Sequence, residues 1–249
     1  MAMQLRMGIL EADPVDDVLA REFGNYPVMF QRLLEEDAGA GAALGFRTYR
    51  AWNGELPASI DACDAWLITG SRQSVYDDDP WILALGELVR ELHRARRTLV
   101  GVCFGHQLVA HVLGGRTALA PVGWCVGVQE TRISLALPWM EPFQPALKIA
   151  ASHRDQVVAL PERAQVFAES DRCPVGGFVL DEHILAIQAH PEFGKPYARA
   201  LLERRRKVVG EQVYERAVAT FDQPIDQPLV GRWMRNFILQ PNRTRDRPH

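Results

Sequence analysis

The sequence predicts an α/β protein with a mostly parallel central sheet, and three observations carry that reading. Through the first half of the chain, short apolar, β-branched runs alternate with longer segments whose apolar residues recur at helical spacing. The runs end in breaks such as Glu11-Ala12-Asp13-Pro14, Gly70-Ser71 and Cys103-Phe104-Gly105, at the strand ends where open α/β sheets place their chemistry. With 249 residues, 47% of them apolar, the chain is long enough to cover such a sheet within one domain.

In chain order, residues 3–10 read as the first strand. A helix opens near Pro27, a favourable first-turn residue, and sets Met29, Phe30, Leu33 and Leu34 on one face. Residues 45–51 form a second strand and residues 65–69 a third, ending at Gly70-Ser71. Asp79 is placed as N-cap and Pro80 as first residue of the next helix, whose stripe of Ile82, Leu85, Val89 and Leu92 runs into a basic end. The run Asp77-Asp78-Asp79 is thereby assigned to starting that helix; no metal site and no cofactor is expected. Leu99, Val100 and Val102 form the central strand, Cys103 follows at once, and a helix runs from His106 to Leu113 before Gly114-Gly115 stops it. Short strands then follow at 117–120, 126–133, 147–151, 165–168, 175–180 and 184–189. Residues 195–239 read as helical, with further segments near 211–221 and 229–239, and residues 240–249 as a disordered polar tail. The whole of 1–239 is expected to be one domain.

Composition excludes several classes. A net charge of −3 gives no electrostatic footprint for nucleic acid or an anionic membrane. No apolar segment is long enough to span a bilayer and the first residues do not read as a signal peptide, so the expected location is the cytoplasm. Cys63, Cys103, Cys125 and Cys173 are scattered without a C-x-x-C pair, which argues against a zinc site or a disulfide framework.

The chemistry concentrates at Cys103. Gly101 and Gly105 stand two places either side of it, between a buried strand and a helix, as in a nucleophile elbow. The helix that starts there directs N–H groups and its positive end at the sulfur, which favours a thiolate and an oxyanion. Further on, a buried strand ends in His190-Pro191-Glu192. Pro191 keeps His190 extended, and in an extended segment residues two apart point the same way. Glu192 can then orient the imidazole of His190 while its other nitrogen faces Cys103, a nucleophile–base–orienter set.

These motifs, Gly101-Val-Cys103-Phe-Gly105-His-Gln107 and His190-Pro191-Glu192, resemble the class I (triad) glutamine amidotransferases, especially relatives of the GMP synthase glutaminase domain. The resemblance implies a flavodoxin-like three-layer sandwich. It implies Cys103, His190 and Glu192 as catalytic triad, and the N–H groups of Ser71 and Phe104 as oxyanion donors. It further implies Gly70, Gln107 and Gly127 near the substrate, which would be glutamine or another γ-glutamyl compound; Arg72 is placed near it by its position in the turn and its charge. Ser71-Arg72 departs from the family's usual Gly-Pro at that turn. Ser152-His153-Arg154-Asp155-Gln156-Val157 matches a segment of the GMP synthase relatives, where His153 is expected to line or brace the pocket. Cys125 is expected to be a buried structural thiol.

Three functional classes remain open at this point. The first is a glutaminase delivering ammonia to a separate synthase subunit, and the two catalytic motifs support it directly. The second is a stand-alone γ-glutamyl hydrolase; Gly70-Ser71-Arg72 and Asp78-Asp79-Pro80-Trp81 resemble the corresponding turn of the plant γ-glutamyl peptidases. In that case the Arg72 guanidinium is expected at the rim, pairing with a carboxylate of the residue attached through the γ-amide. The third is a binding protein with a relict site, disfavoured by an intact Cys-His-Glu set.

Overall fold

The computed structural model describes residues 4–36 and 43–240. In chain order the first elements are β1 (Leu5–Glu11), α1 (Asp17–Phe23), α2 (Tyr26–Glu35), β2 (Leu44–Arg50), β3 (Ala65–Ile68) and α3 (Pro80–Arg94). Next come β4 (Thr98–Val102), α4 (Phe104–Val112), β5 (Arg116–Leu119), β6 (Cys125–Ile133), β7 (Ala146–His153) and β8 (Asp155–Ala159). The chain closes with β9 (Ala164–Ser170), β10 (Cys173–Leu180), β11 (Ile184–Ile187), α5 (Lys195–Val209), α6 (Glu211–Thr220) and α7 (Gln227–Leu239).

Among the described residues, nine strands form one sheet in the order β2-β1-β3-β4-β11-β10-β9-β6-β7, and β5 pairs with β8 in a separate ribbon. From β2 to β11 every pairing is parallel. From β11 through β10, β9, β6 and β7 every pairing is antiparallel. The parallel half is the expected α/β core, and the antiparallel half extends it.

Alternation along the parallel strands builds the three layers. Met7, Ile9, Leu67, Val100, Val102, Leu185 and Ile187 face the side covered by α2, α5 and α7. Leu10, Trp66, Ile68, Leu99, Ile184 and Ala186 face α3 and α4. Both sets are buried, which is why these strands read as continuous apolar runs. Gly8 is required on the second side, since a Cβ there would lie 2.4 Å from the Trp66 ring.

The structure corrects the sequence reading at several points. Helix α1 was not anticipated; the Asp16 side chain accepts from Val18 N–H and starts it. Helix α2 begins one residue before Pro27, capped by Asn25, whose side chain accepts from Val28 N–H. Asp79 precedes α3 as expected, but its carboxylate makes no capping bond and instead accepts from the Gln73 amide. Helix α4 starts at Phe104, directly after the cysteine, not at His106. Strand β8 arises from the segment around Asp155 that carried no strand expectation. Met3, at the start of the expected first strand, and residues 241–249 of the expected disordered tail lie outside the described residues.

Candidate active site

Four strand ends converge at the carboxyl edge of the parallel half: β1 leads to Asp13, β3 to Gly70, β4 to Cys103 and β11 to His190. Cys103 adopts φ 52° and ψ −98°, a conformation that costs a non-glycine residue on the order of 1–3 kcal/mol. The neighbouring glycines make it possible. A Cβ on Gly101 would sit 2.6 Å from the Gly105 carbonyl oxygen, and one on Gly105 would sit 2.6 Å from that of Ile68. The turn lifts the sulfur out of the strand and aims the first N–H groups of α4 at the space beside it.

Strand pairing carries His190 to the cysteine. Cys103 N–H donates to Ile187 O at 2.9 Å, tying the end of β4 to the end of β11. Three residues on, His190 N–H donates to Ala150 O of β7 at 2.8 Å. The imidazole Nδ1 and Glu192 Oε1 are 2.8 Å apart, with both side chains almost wholly buried. Phe193 stacks on the ring at 3.9 Å and 6° between planes, and Tyr26 stacks on Phe193 in turn. The imidazole is therefore gripped at one nitrogen and across one face. Burial opposes a charge on His190. The nearby Cys103 sulfur and the Glu192 carboxylate hydrogen-bonded to Nδ1 outweigh that and raise its pKa to about 10. The arrangement favours the charged imidazolium.

Gly70 lies against the Cε1 edge of the ring. A Cβ at that position would lie 2.8 Å from His190 Cε1 and 3.6 Å from Cys103 Cβ. Its missing side chain is what leaves room for the pair. Ser71 follows, and neither its N–H nor that of Phe104 has an acceptor among the described residues.

Other expected site residues hold different positions. Arg72 is not a free rim cation: its Nε and Nη2 donate to the two carboxylate oxygens of Asp13, each at 2.8 Å. That pairing engages one edge of the guanidinium and leaves the side chain 63% exposed. Gln107 is buried, and its amide nitrogen donates to Asp155 O at 2.8 Å and Gln188 Oε1 at 3.1 Å, so its donors brace the frame behind the site. Gly127 has φ 86° and backs onto α6, where a Cβ would lie 2.5 Å from Thr220 Oγ1. Helix packing accounts for that glycine. His153 is buried, with Nδ1 3.3 Å from Asp155 O; burial first, then the charge on His190, push its pKa down to about 3. A neutral, inward-held ring fits bracing. Cys125 lies 3.5 Å from the Gln156 amide, and its burial raises the thiol pKa.

Sequence reading missed Asp13, Tyr26, Phe193 and Asp155. Phe193 directly follows the His-Pro-Glu motif, Asp13 follows the first strand and Asp155 lies in the matched 152–157 segment, so position offered a signal for all three; nothing local marks Tyr26. A cavity of about 890 Å³ lies at the opposite edge of the sheet, lined by Thr98, Trp139, His183 and Phe237 among others, and contains no residue of the Cys-His-Glu set.

Comparisons with known proteins place the family and the fold. Residues 42–206 match the family described as glutamine amidotransferase class-I. The chain is 27% identical over 249 residues to gamma-glutamyl peptidase 5 of Arabidopsis thaliana, covering 94% of this chain and 96% of that one. It is 33% identical over 170 residues to a glutamine-hydrolyzing GMP synthase subunit of Halobacterium salinarum, covering 68% and 84%. A glutamine amidotransferase structure from Thermotoga maritima superposes with a TM-score of 0.71 at 17% identity, covering 96% of this chain and 100% of that one.

Proposed function

The chain belongs to the glutamine amidotransferase class-I family, and from that premise we propose that it is a cysteine-dependent hydrolase of γ-glutamyl amide bonds that works as a stand-alone γ-glutamyl peptidase. The observation that carries the chemistry is the buried 2.8 Å contact between His190 Nδ1 and Glu192, on a ring that shares the space beside Gly70 with Cys103.

In the proposed reaction the Cys103 thiolate attacks the γ-carbonyl carbon. The N–H groups of Phe104 and Ser71 take the developing oxyanion, at about 3 kcal/mol per donor in comparable sites. The His190 imidazolium gives its proton to the leaving nitrogen, and the C–N bond breaks to leave a γ-glutamyl thioester on Cys103. What departs is ammonia when the substrate is glutamine, or the amino group of the attached residue when it is a γ-glutamyl peptide. Neutral His190 then takes a proton from water, the hydroxide attacks the thioester, and glutamate leaves with the thiolate restored. Glu192 keeps the ring in the required tautomer and stabilises its charged form.

The preference for a peptidase over a GMP synthase subunit rests on extent, 94% of the chain against 68%. The likeness to the Arabidopsis peptidase runs over 94% of the chain, so it reaches past residue 206, where the family match ends, into the region of α6 and α7. The 33% identity to a glutamine-hydrolyzing GMP synthase subunit supports a second reading, glutamine hydrolysis with ammonia passed to a separate synthase chain. Mass-spectrometric assay of the purified chain against glutamine and a panel of γ-glutamyl dipeptides separates the two. The proposal expects at least one dipeptide to be cleaved with higher kcat/KM than glutamine. Glutamine hydrolysis alone, with every dipeptide intact, contradicts it.

A further inference from the structure

The turn that presents Ser71 N–H is tied to the protein's own strand ends. Upstream of it, Thr69 N–H donates to Leu10 O at 3.2 Å, and Thr69 Oγ1 accepts from Ala12 N–H at 2.9 Å. On the other side, Arg72 brings three donors to one carboxylate. Its backbone N–H reaches Asp13 Oδ2 at 2.9 Å, Nε reaches the same oxygen at 2.8 Å, and Nη2 reaches Oδ1 at 2.8 Å. Beyond it, Asp155 receives Ser74 Oγ–H at 2.5 Å and Tyr76 O–H at 2.9 Å. Gly70 and Ser71 thus span a short gap between two pinned points, residues 69 and 72, both held by the segment that ends β1.

The backbone bond matters most. A peptide unit is planar, so fixing Arg72 N–H on Asp13 fixes the whole Ser71–Arg72 plane. Turning that plane over would bring the Ser71 carbonyl oxygen against the buried Asp13 carboxylate, two negative ends facing each other where water cannot screen them. With that plane set, the preceding peptide, which carries the Ser71 N–H, has little freedom to rotate away from the cysteine.

We infer that Asp13 is a positioning residue for the oxyanion donor at Ser71, and that its clamp on Arg72 keeps the oxyanion turn assembled in the isolated chain, without an activating partner. The inference rests on the proposed role of Ser71 N–H and deepens the stand-alone reading. Asp13 touches no reacting atom; it acts through the orientation of one peptide.

The test compares Asp13→Ala, which removes all three bonds, with Arg72→Ala, which removes the guanidinium but leaves the backbone N–H on Asp13. Loss of one oxyanion donor costs roughly 10²–10³ in kcat. The expected result is a fall in kcat of about a hundredfold for Asp13→Ala and about tenfold or less for Arg72→Ala. KM should stay within about threefold in both, because the interaction is made only in the transition state. Asp13→Asn, which keeps an oxygen for the Arg72 N–H, should recover most of the loss. Should Asp13→Ala fail to fold, Asp13→Ser, with a hydroxyl too short to receive these donors, carries the same comparison. Two further readouts need no γ-glutamyl substrate. The p-nitrophenol burst from p-nitrophenyl acetate at Cys103 forms an oxyanion and should fall in the same order. Alkylation of Cys103 by iodoacetamide forms none and should keep its rate. Equal losses in the two alanine variants, a rise in KM with kcat intact, or slowed alkylation would overturn the clamp. A wild-type chain that shows the ester burst but cleaves no γ-glutamyl compound would overturn the substrate assignment and leave the clamp to be judged by the burst.

Discussion

Substituting Gly70 by alanine tests the site where its geometry is tightest. The new methyl carbon would lie 2.8 Å from His190 Cε1, about 0.6 Å inside an ordinary carbon–carbon contact of at least ~3.4 Å. The imidazole cannot retreat freely: Phe193 stacks on the ring at 3.9 Å, and Glu192 holds Nδ1 at 2.8 Å. The overlap must therefore be relieved by sliding the ring along Phe193 or by opening the Cys103–His190 contact. Overpacking of this kind costs about 1–3 kcal/mol of stability, and a 1 Å misplacement of a reacting group costs about 10²-fold in rate. For a shift of roughly half that size, kcat on a γ-glutamyl dipeptide should fall about tenfold to a hundredfold, with the protein still folded by circular dichroism. Adding Phe193→Leu gives the ring somewhere to go, so the double variant should lose less than the product of the two single losses. Activity within about threefold of wild type in Gly70→Ala would refute the placement of His190 between Gly70 and Phe193.

Three more expectations follow from the same contacts. Glu192→Gln removes a buried charge-assisted hydrogen bond worth about 1.5–3 kcal/mol, so kcat/KM should drop by about tenfold to a hundredfold; His190→Ala should drop further, and equal activity in both would make the histidine structural. Iodoacetamide followed by peptide mapping should mark Cys103 first, because burial raises the thiols of Cys63 and Cys125 and pushes that of Cys173 up to about 12; first labelling at any of those three contradicts the assignment. His190 holds its proton up to about pH 10 in the folded chain against an ordinary 6.5, so the stability it adds is full below about pH 6.5 and drains as pH rises to about 10. The Tm gap between wild type and His190→Ala should narrow over that range, and a gap that widens would reverse the sign of the coupling.

The parallel core was legible because its strands are buried on both faces: Ala65, Trp66, Leu67 and Ile68, and Leu99, Val100 and Val102, leave no helical or half-polar period to confuse. Cys103, His190 and Glu192 were legible for a different reason. Each takes its place from local backbone rules: glycines beside a positive φ, and a proline that holds its neighbour extended. What escaped depends on contacts between distant residues. Arg72 and Asp13 are separated by 59 positions, so the sequence gives no sign that the loop arginine also holds a carboxylate that the β1–β3 pairing brings near. Gly127 resembled a pocket residue, yet its reason is α6, far along the chain. Strand β8 was hidden because its partner β5 is itself short and outside the main sheet.

The claim on which the rest depends is that Cys103 carries the γ-glutamyl group. Wild-type protein quenched in acid during turnover of a cleaved γ-glutamyl dipeptide, then digested and examined by mass spectrometry, should show a single glutamyl adduct on the peptide containing Cys103. Cys103→Ser should show neither adduct nor product. A glutamyl group on another residue, or turnover that survives in Cys103→Ser, would contradict the thioester mechanism.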